Sequence, residues 1–252
     1  MSATWSTIWS TASCDAPALP RSDSSQRSLM IDEVLRHPTA RRVRLSVDPA
    51  SGRVRLLLPR RAALKPALAW AEGKRDWIAA QRAALPRSVP FTPGTVLPVA
   101  DKAITIVRDE GSRRALRLDG DKLLAAGPIE TVPRRVEAWL RRVALDLLTQ
   151  ETMDCAAKAG VTIADVRVGD PRSRWGSCTG SGTIRYSWRL ILAPGHVRRA
   201  TVAHEVAHRV HMDHSPAFHA VAAALLGEDP APARAWLRAH GAGLHWFGRS
   251  SA

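Results

Sequence analysis

From Arg41 onward, basic and apolar residues alternate (Arg42, Val43, Arg44, Leu45, Ser46, Val47), pause at Asp48-Pro49-Ala50-Ser51-Gly52, and alternate again to Leu58. A period of two predicts a β-hairpin with one basic face. Pro66 suits the first turn of a helix running to about Leu85, with Leu68, Trp77, Ile78 and Leu85 as its apolar contacts, before Pro86, Pro90 and Pro93 break the chain. Three short strands are predicted around 104–107, 115–118 and 123–126, the last two joined by Asp119-Gly120-Asp121. Pro133 opens the longest helical segment, in which Val136, Trp139, Leu140, Val143 and Leu147 recur at helical spacing up to a stop at Gly160. A strand near 161–168, a polar loop over 170–177 and a second strand over 183–192 follow. Helices then run to the end, with Ser215-Pro216 and Asp229-Pro230 each pairing an N-cap with a first-turn proline.

This pattern is α+β. Residues 31–130 form a β-rich front part and residues 131–247 a helical part, expected to be one continuous domain. Residues 1–30 are Ser/Thr-rich without periodicity and are expected to be disordered, with Met30 as a candidate true start. They lack both the basic opening and the apolar core of a secretory signal.

The chain has 252 residues, 45% hydrophobic and 24% charged, the balance of a soluble globular protein. Thirty-seven Lys+Arg against 23 Asp+Glu give a net charge of +14, which raises nucleic acid as a partner. Thirty-two of the basic residues are Arg, a skew that genomic base composition also explains. Eight of them lie between residues 36 and 61. No apolar run approaches the roughly 18–20 residues that span a bilayer. The three cysteines, Cys14, Cys155 and Cys178, make neither a fully paired disulfide framework nor a zinc motif, so a reducing, cytoplasmic compartment is expected.

Eight of the nine histidines follow residue 195, and five lie between 204 and 219. His204-Glu205-Val206-Ala207-His208 explains the clustering. Residues four apart stand one turn above each other on a helix, so two imidazoles share one Zn²⁺ while Glu205 projects beside them as general base toward a metal-activated water. A chance match arises in roughly one in a hundred chains of this composition, so the five residues need context.

A third ligand is required. His211 lies about 10 Å further along the same helix axis, too far to converge on the ion. Pro216 disfavours helical geometry at Ser215, so the chain can turn there and return His214, giving HExxHxxxxxH. Glu228, on a following helix, is the alternative. His211 and His219 are read as supporting residues that orient a ligand.

Arg174-Trp175-Gly176-Ser177-Cys178, the strand through Ile184, the HExxH, and His214-Ser215 with Phe218 together resemble the YgjP-like metal-dependent hydrolases. These are zincin-type metallopeptidase domains related to the SprT-like and WLM proteases. The front hairpin and the helix with Trp77-Ile78 extend the resemblance to about residues 35–245. It implies a zincin-like fold, one zinc per chain on His204, His208 and His214, Glu205 as base, and a peptide or protein substrate. It also implies that a strand before the active helix pairs with extended substrate, for which 183–192 is the candidate. The chain departs from the family pattern at Asp213, where Asn is frequent, and at His219, where an aromatic is frequent.

Arg174 and Trp175 are candidate substrate-binding residues, Arg174 as partner of a carboxylate near the cleft and Trp175 as its wall. A structural loop with Trp175 and Cys178 buried beside the active helix is the favoured reading of both, with Cys178 as a small apolar residue. The alternative to a zinc metallopeptidase is a basic nucleic-acid-associated protein, either a binding module or a protease acting on DNA-bound proteins.

Overall fold

The computed structural model describes residues 31–111 and 116–250, which divide into two compact units, 31–86 and 87–250. In the first unit, β1 (Glu33–His37), β2 (Arg44–Val47) and β3 (Val54–Pro59) form a sheet of order β1-β3-β2, with β1 parallel and β2 antiparallel to β3. The predicted hairpin is β2-β3. Its turn is held by Asp48, whose carboxylate accepts from Ala50 N at 2.9 Å and Ser51 Oγ at 2.7 Å. Val54, Leu56 and Leu58 alternate into the interior, where Leu56 and Leu58 meet Ala67 and Ala71 of α1 (Leu64–Glu72).

The single helix expected to run from Pro66 to Leu85 is two nine-residue helices, α1 and α2 (Arg75–Ala83). The break falls at Gly73-Lys74, where Lys74 leaves helical geometry at φ −102°, ψ 21°. Glycine is among the weakest helix formers, so an interruption there costs little. Strand β1 had no signal in the pattern because its side chains are largely exposed and do not alternate.

The second unit begins with β4 (Val96–Val99), β5 (Lys102–Arg108), β6 (Leu116–Asp119) and β7 (Lys122–Ala125), ordered β4-β5-β7-β6. The 28-residue α3 (Val132–Ala159) buries Val136, Leu140, Ala144, Leu148, Thr152 and Cys155 along one stripe and ends at Gly160, whose φ of 65° is left-handed. A second sheet follows, β8 (Asp165–Gly169), β9 (Gly176–Cys178) and β10 (Thr183–Ser187), in the order β8-β10-β9. Here the expected strand over 183–192 stops at Ser187, and Trp188–Leu192 form a 3₁₀ turn. All five of those residues are buried, which a strand with one solvated face does not allow.

Helices α4 (Gly195–Ala207), α5 (Pro216–Leu226) and α6 (Ala231–Leu244) complete the unit. Its core packs α3 against Tyr186, Trp188, Leu190, Val197 and Val206, all fully buried. At about 1.5–3 kcal/mol for each large side chain removed from water, this is the main force holding α4 in place. The β4-β5 turn adds a polar anchor, since Asp101 Oδ1 accepts from the N–H of Gly195, the first residue of α4, at 2.7 Å. Among the described residues no helix is long and apolar enough to cross a membrane.

Candidate metal centre

Helix α4 turns Val197, Val202 and Val206 into the core, which leaves His204 on its outer side and His208 at its C-cap. Beyond it the chain closes tight turns, with Arg209 N on Val206 O and both Val210 N and His211 N on Ala207 O. Asp213 then accepts from Ser215 N at 3.1 Å, and Ser215 Oγ accepts from Phe218 N at 3.3 Å to start α5 at Pro216. These turns bring His214 back over α4. The Nε2 atoms of His204 and His214 stand 3.4 Å apart, and one ligand atom from each of His204, His208 and His214 lies within 4.8 Å of the others.

The donor set fits a tetrahedral ion. Two nitrogens bound to zinc at about 2.0–2.1 Å are separated by about 3.3 Å, close to the His204–His214 spacing. The Nδ1 of His208 lies 3.1 Å from the carbonyl oxygen of His211; as donor it leaves Nε2 with its lone pair. Burial, followed by the neighbouring histidines, lowers the pKa of His204 to about 3, and burial lowers that of His208. Both rings therefore stay neutral, the form that ligates metal.

Phe218, fully buried, packs against all three imidazoles, with ring centroids 4.9, 4.4 and 4.9 Å from those of His204, His208 and His214. In the sequence Phe218 stands out only as part of the resemblance. Its place one turn into α5, where it sits under the three rings, emerges only when α5 folds back on α4.

Glu205 is 5% exposed, and its carboxylate lies against β9. A Cβ on Gly176 would collide with Glu205 Oε1 and stand 2.6 Å from its Cγ, so only glycine admits the carboxylate there. Burial pushes the pKa of Glu205 up to about 8, with the Arg174 guanidinium pulling it back. The glycine of the Arg174-Trp175-Gly176-Ser177-Cys178 block thus serves the close approach for which glycine is suited, and what its position in the sequence does not disclose is the partner, Glu205.

The remaining candidates are placed differently. Arg174 is exposed and acts on Glu205 through its charge. Trp175 packs against Gly241 of α6 and lies 5.4 Å from the His245 ring. Glu228 is exposed beyond the C-cap of α5 and does not join the histidine group. His211 presents its carbonyl, and the His219 ring stands 6.4 Å from that of His214. Burial, then Glu205, pushes the Cys178 thiol up, away from the thiolate a nucleophile needs.

One expectation is corrected. The strand over 183–192 cannot offer a free edge to substrate, because β10 is paired on both sides, with β8 and with β9. The outer strands of this sheet are β8 and β9, and β9 is the one against Glu205.

No curated protein and no solved structure gives a significant match to the chain. The sequence model of the YgjP-like metallopeptidase domain matches residues 41–240, a span that takes in the hairpin, β9, the three histidines and Glu205. The family is one of metal-dependent peptidases, and three convergent imidazoles that can hold a metal agree with that chemistry. The chain belongs to the YgjP-like metallopeptidase domain family.

Proposed function

We propose that the chain is a zincin-like zinc peptidase in which His204, His208 and His214 hold one ion per chain and Glu205 is the general base. The observation that carries this reading is the 3.4 Å approach of His204 Nε2 to His214 Nε2, made by residues ten apart, beside a carboxylate buried in the same turn of helix. When bound, zinc supplies Lewis acidity that lowers the pKa of water and polarises the scissile carbonyl.

Glu205 accepts a proton from the attacking water and delivers it to the leaving nitrogen. Its raised pKa suits the second task, since a carboxyl group that protonates readily can give the proton back near neutral pH. The Arg174 guanidinium pulls that value back toward the ionised form that takes the proton first. Gly176 keeps room for the carboxylate, and the free side of β9 offers backbone groups to an extended peptide. Arg174, exposed beside this strand, is placed to meet an acidic group of the substrate or the charge of Glu205 itself.

The test is cleavage of a peptide library by the zinc-loaded chain, read by mass spectrometry, with Glu205→Gln as the comparison. Loss of cleavage with retention of zinc supports the assignment. A Glu205→Gln chain that cleaves as fast as the wild type contradicts it.

A further inference from the structure

We propose that one end of the sheet in the 31–86 unit is a phosphate-binding face for nucleic acid. Parallel pairing sets His37 of β1 beside Pro59 of β3, and antiparallel pairing sets Arg44 of β2 beside Leu57. The C-terminal ends of β1 and β3 and the N-terminal end of β2 therefore lie together. Arg36, Arg41, Arg42, Arg44, Arg60 and Arg61 come from those three ends, and all six are exposed.

Charge is segregated along the sheet. At the opposite end each acid has a partner: Arg55 pairs with Glu33 at 2.7 Å and with Asp48 at 3.6 Å, and Arg82 pairs with Asp32 at 3.1 Å. None of the six arginines forms an ion pair among the described residues, and neither 34–47 nor 56–71 contains an acid. Three strands span about 10 Å, close to the screening length of about 8 Å at physiological salt. Six exposed like charges over that distance add up to one positive patch, and a polyanion, which meets several of them at once and releases its own counterions, suits it better than a single small ion.

Local geometry adds to the charge. Arg36 Nη1 donates to the carbonyls of Arg60 at 2.8 Å and Ala62 at 2.9 Å, which fixes the turn leading into α1. Helix α1 then begins beside the cluster with no side-chain cap and no acid in its first turn, so its N–H groups and positive dipole end add to the field.

Guanidinium groups match phosphate oxygens bidentately and are the usual choice for a nucleic-acid backbone. An anionic membrane fits less well. Surface-lying segments carry their basic residues along an amphipathic helix, whereas these sit on strand ends and turns, and α1 has only Lys65 and Glu72 as charged residues. The face reads backbone rather than sequence, so binding is expected to be salt-dependent and indifferent to base order. It goes beyond the peptidase reading and does not rest on it.

The test is fluorescence anisotropy of the full chain with a labelled DNA duplex of about 20 base pairs across a salt series. A chain with Arg41, Arg42, Arg60 and Arg61 changed to Ala is compared with one in which Arg134, Arg142, Arg172 and Arg238, exposed residues of the other unit, are changed to Ala. Circular dichroism of both variants establishes that they are folded. The expected result is affinity at least tenfold lower in the first variant and a smaller change in the second. The slope of log K against log salt is expected to fall in the first variant by about 0.9 for each phosphate that is no longer neutralised. Equal effects of the two variants, no binding by the wild type, or binding to phosphatidylserine vesicles in place of DNA would each overturn the proposal.

Discussion

Gly176 and Glu205 are a pair in which each residue dictates the other. The carboxylate occupies the volume where a Cβ would sit, and at 5% exposure its side chain has little open space to move into. Gly176→Ala is therefore expected to lower peptide cleavage at least tenfold while zinc content stays at the wild-type level, because the proposed base moves and the imidazoles do not. Steady-state kinetics with parallel metal analysis checks this. Phe218 acts on the other component. Phe218→Ala removes the ring that all three imidazoles touch, and the expected cost is about 3–5 kcal/mol of stability together with a roughly 10–100-fold weaker hold on zinc, measured by denaturant unfolding and by competition with a chromophoric chelator. His204, Glu205, His208 and His214 were legible in the sequence because four-residue spacing and a proline-directed turn are local rules. The Gly176 contact and the His211 carbonyl were not, since one is a meeting of distant segments and the other is made by a backbone atom that carries no residue identity.

At the scale of elements, periodicity was informative where a face is long and one-sided. Helix α3 was legible from Val136 to its stop at Gly160 because its buried stripe persists for several turns. Strand β9 was not, because three residues give no alternation to recognise, yet it is the outer strand beside Glu205. The segment 183–192 looked like one strand because a fully buried 3₁₀ turn is as apolar as a buried strand. The loop leading to β9 is held by Arg189, which donates to Asp170 at 2.7 and 3.1 Å and to the carbonyls of Leu244 and Phe247 at 2.7 and 3.0 Å. Burial opposes ionisation of Asp170, but Arg189 prevails and its pKa lies below the ordinary carboxylate value. A depressed carboxylate contributes stability above its unfolded pKa and loses it as pH falls through the folded value, so this clamp is intact at neutral pH and is lost below about pH 4. Asp170→Asn is expected to cost roughly 2–3 kcal/mol at pH 7, since Arg189 keeps a buried charge without its partner, and to flatten the acid limb of the stability profile. Urea unfolding across pH reads both effects.

For the whole molecule, the two units carry different chemistry: the arginine-rich sheet end in 31–86 and the histidine cluster in 87–250. The net charge of +14 and the eight arginines between residues 36 and 61 hinted at the first, but not at its confinement to one end, because segregation along a sheet depends on which strands pair and in which direction. A ligand that binds only the folded state stabilises it by about 2.7 kcal/mol at a hundred times its Kd. In a chain of this size that corresponds to about 5–10 °C in Tm. Chelation is accordingly expected to lower the Tm of the wild type by that amount and to leave His208→Ala unchanged, as scanning calorimetry checks.

Metal content tests most directly the proposal that His204, His208 and His214 hold one zinc ion. The chain is purified without an affinity tag that binds metal and analysed by mass spectrometry beside His208→Ala, His214→Ala and His211→Ala. One zinc per wild-type chain, absent from the first two variants and kept by His211→Ala, whose contact is through its carbonyl, is the predicted result. A folded wild type without metal, or a His214→Ala chain with its full zinc complement, would contradict the account.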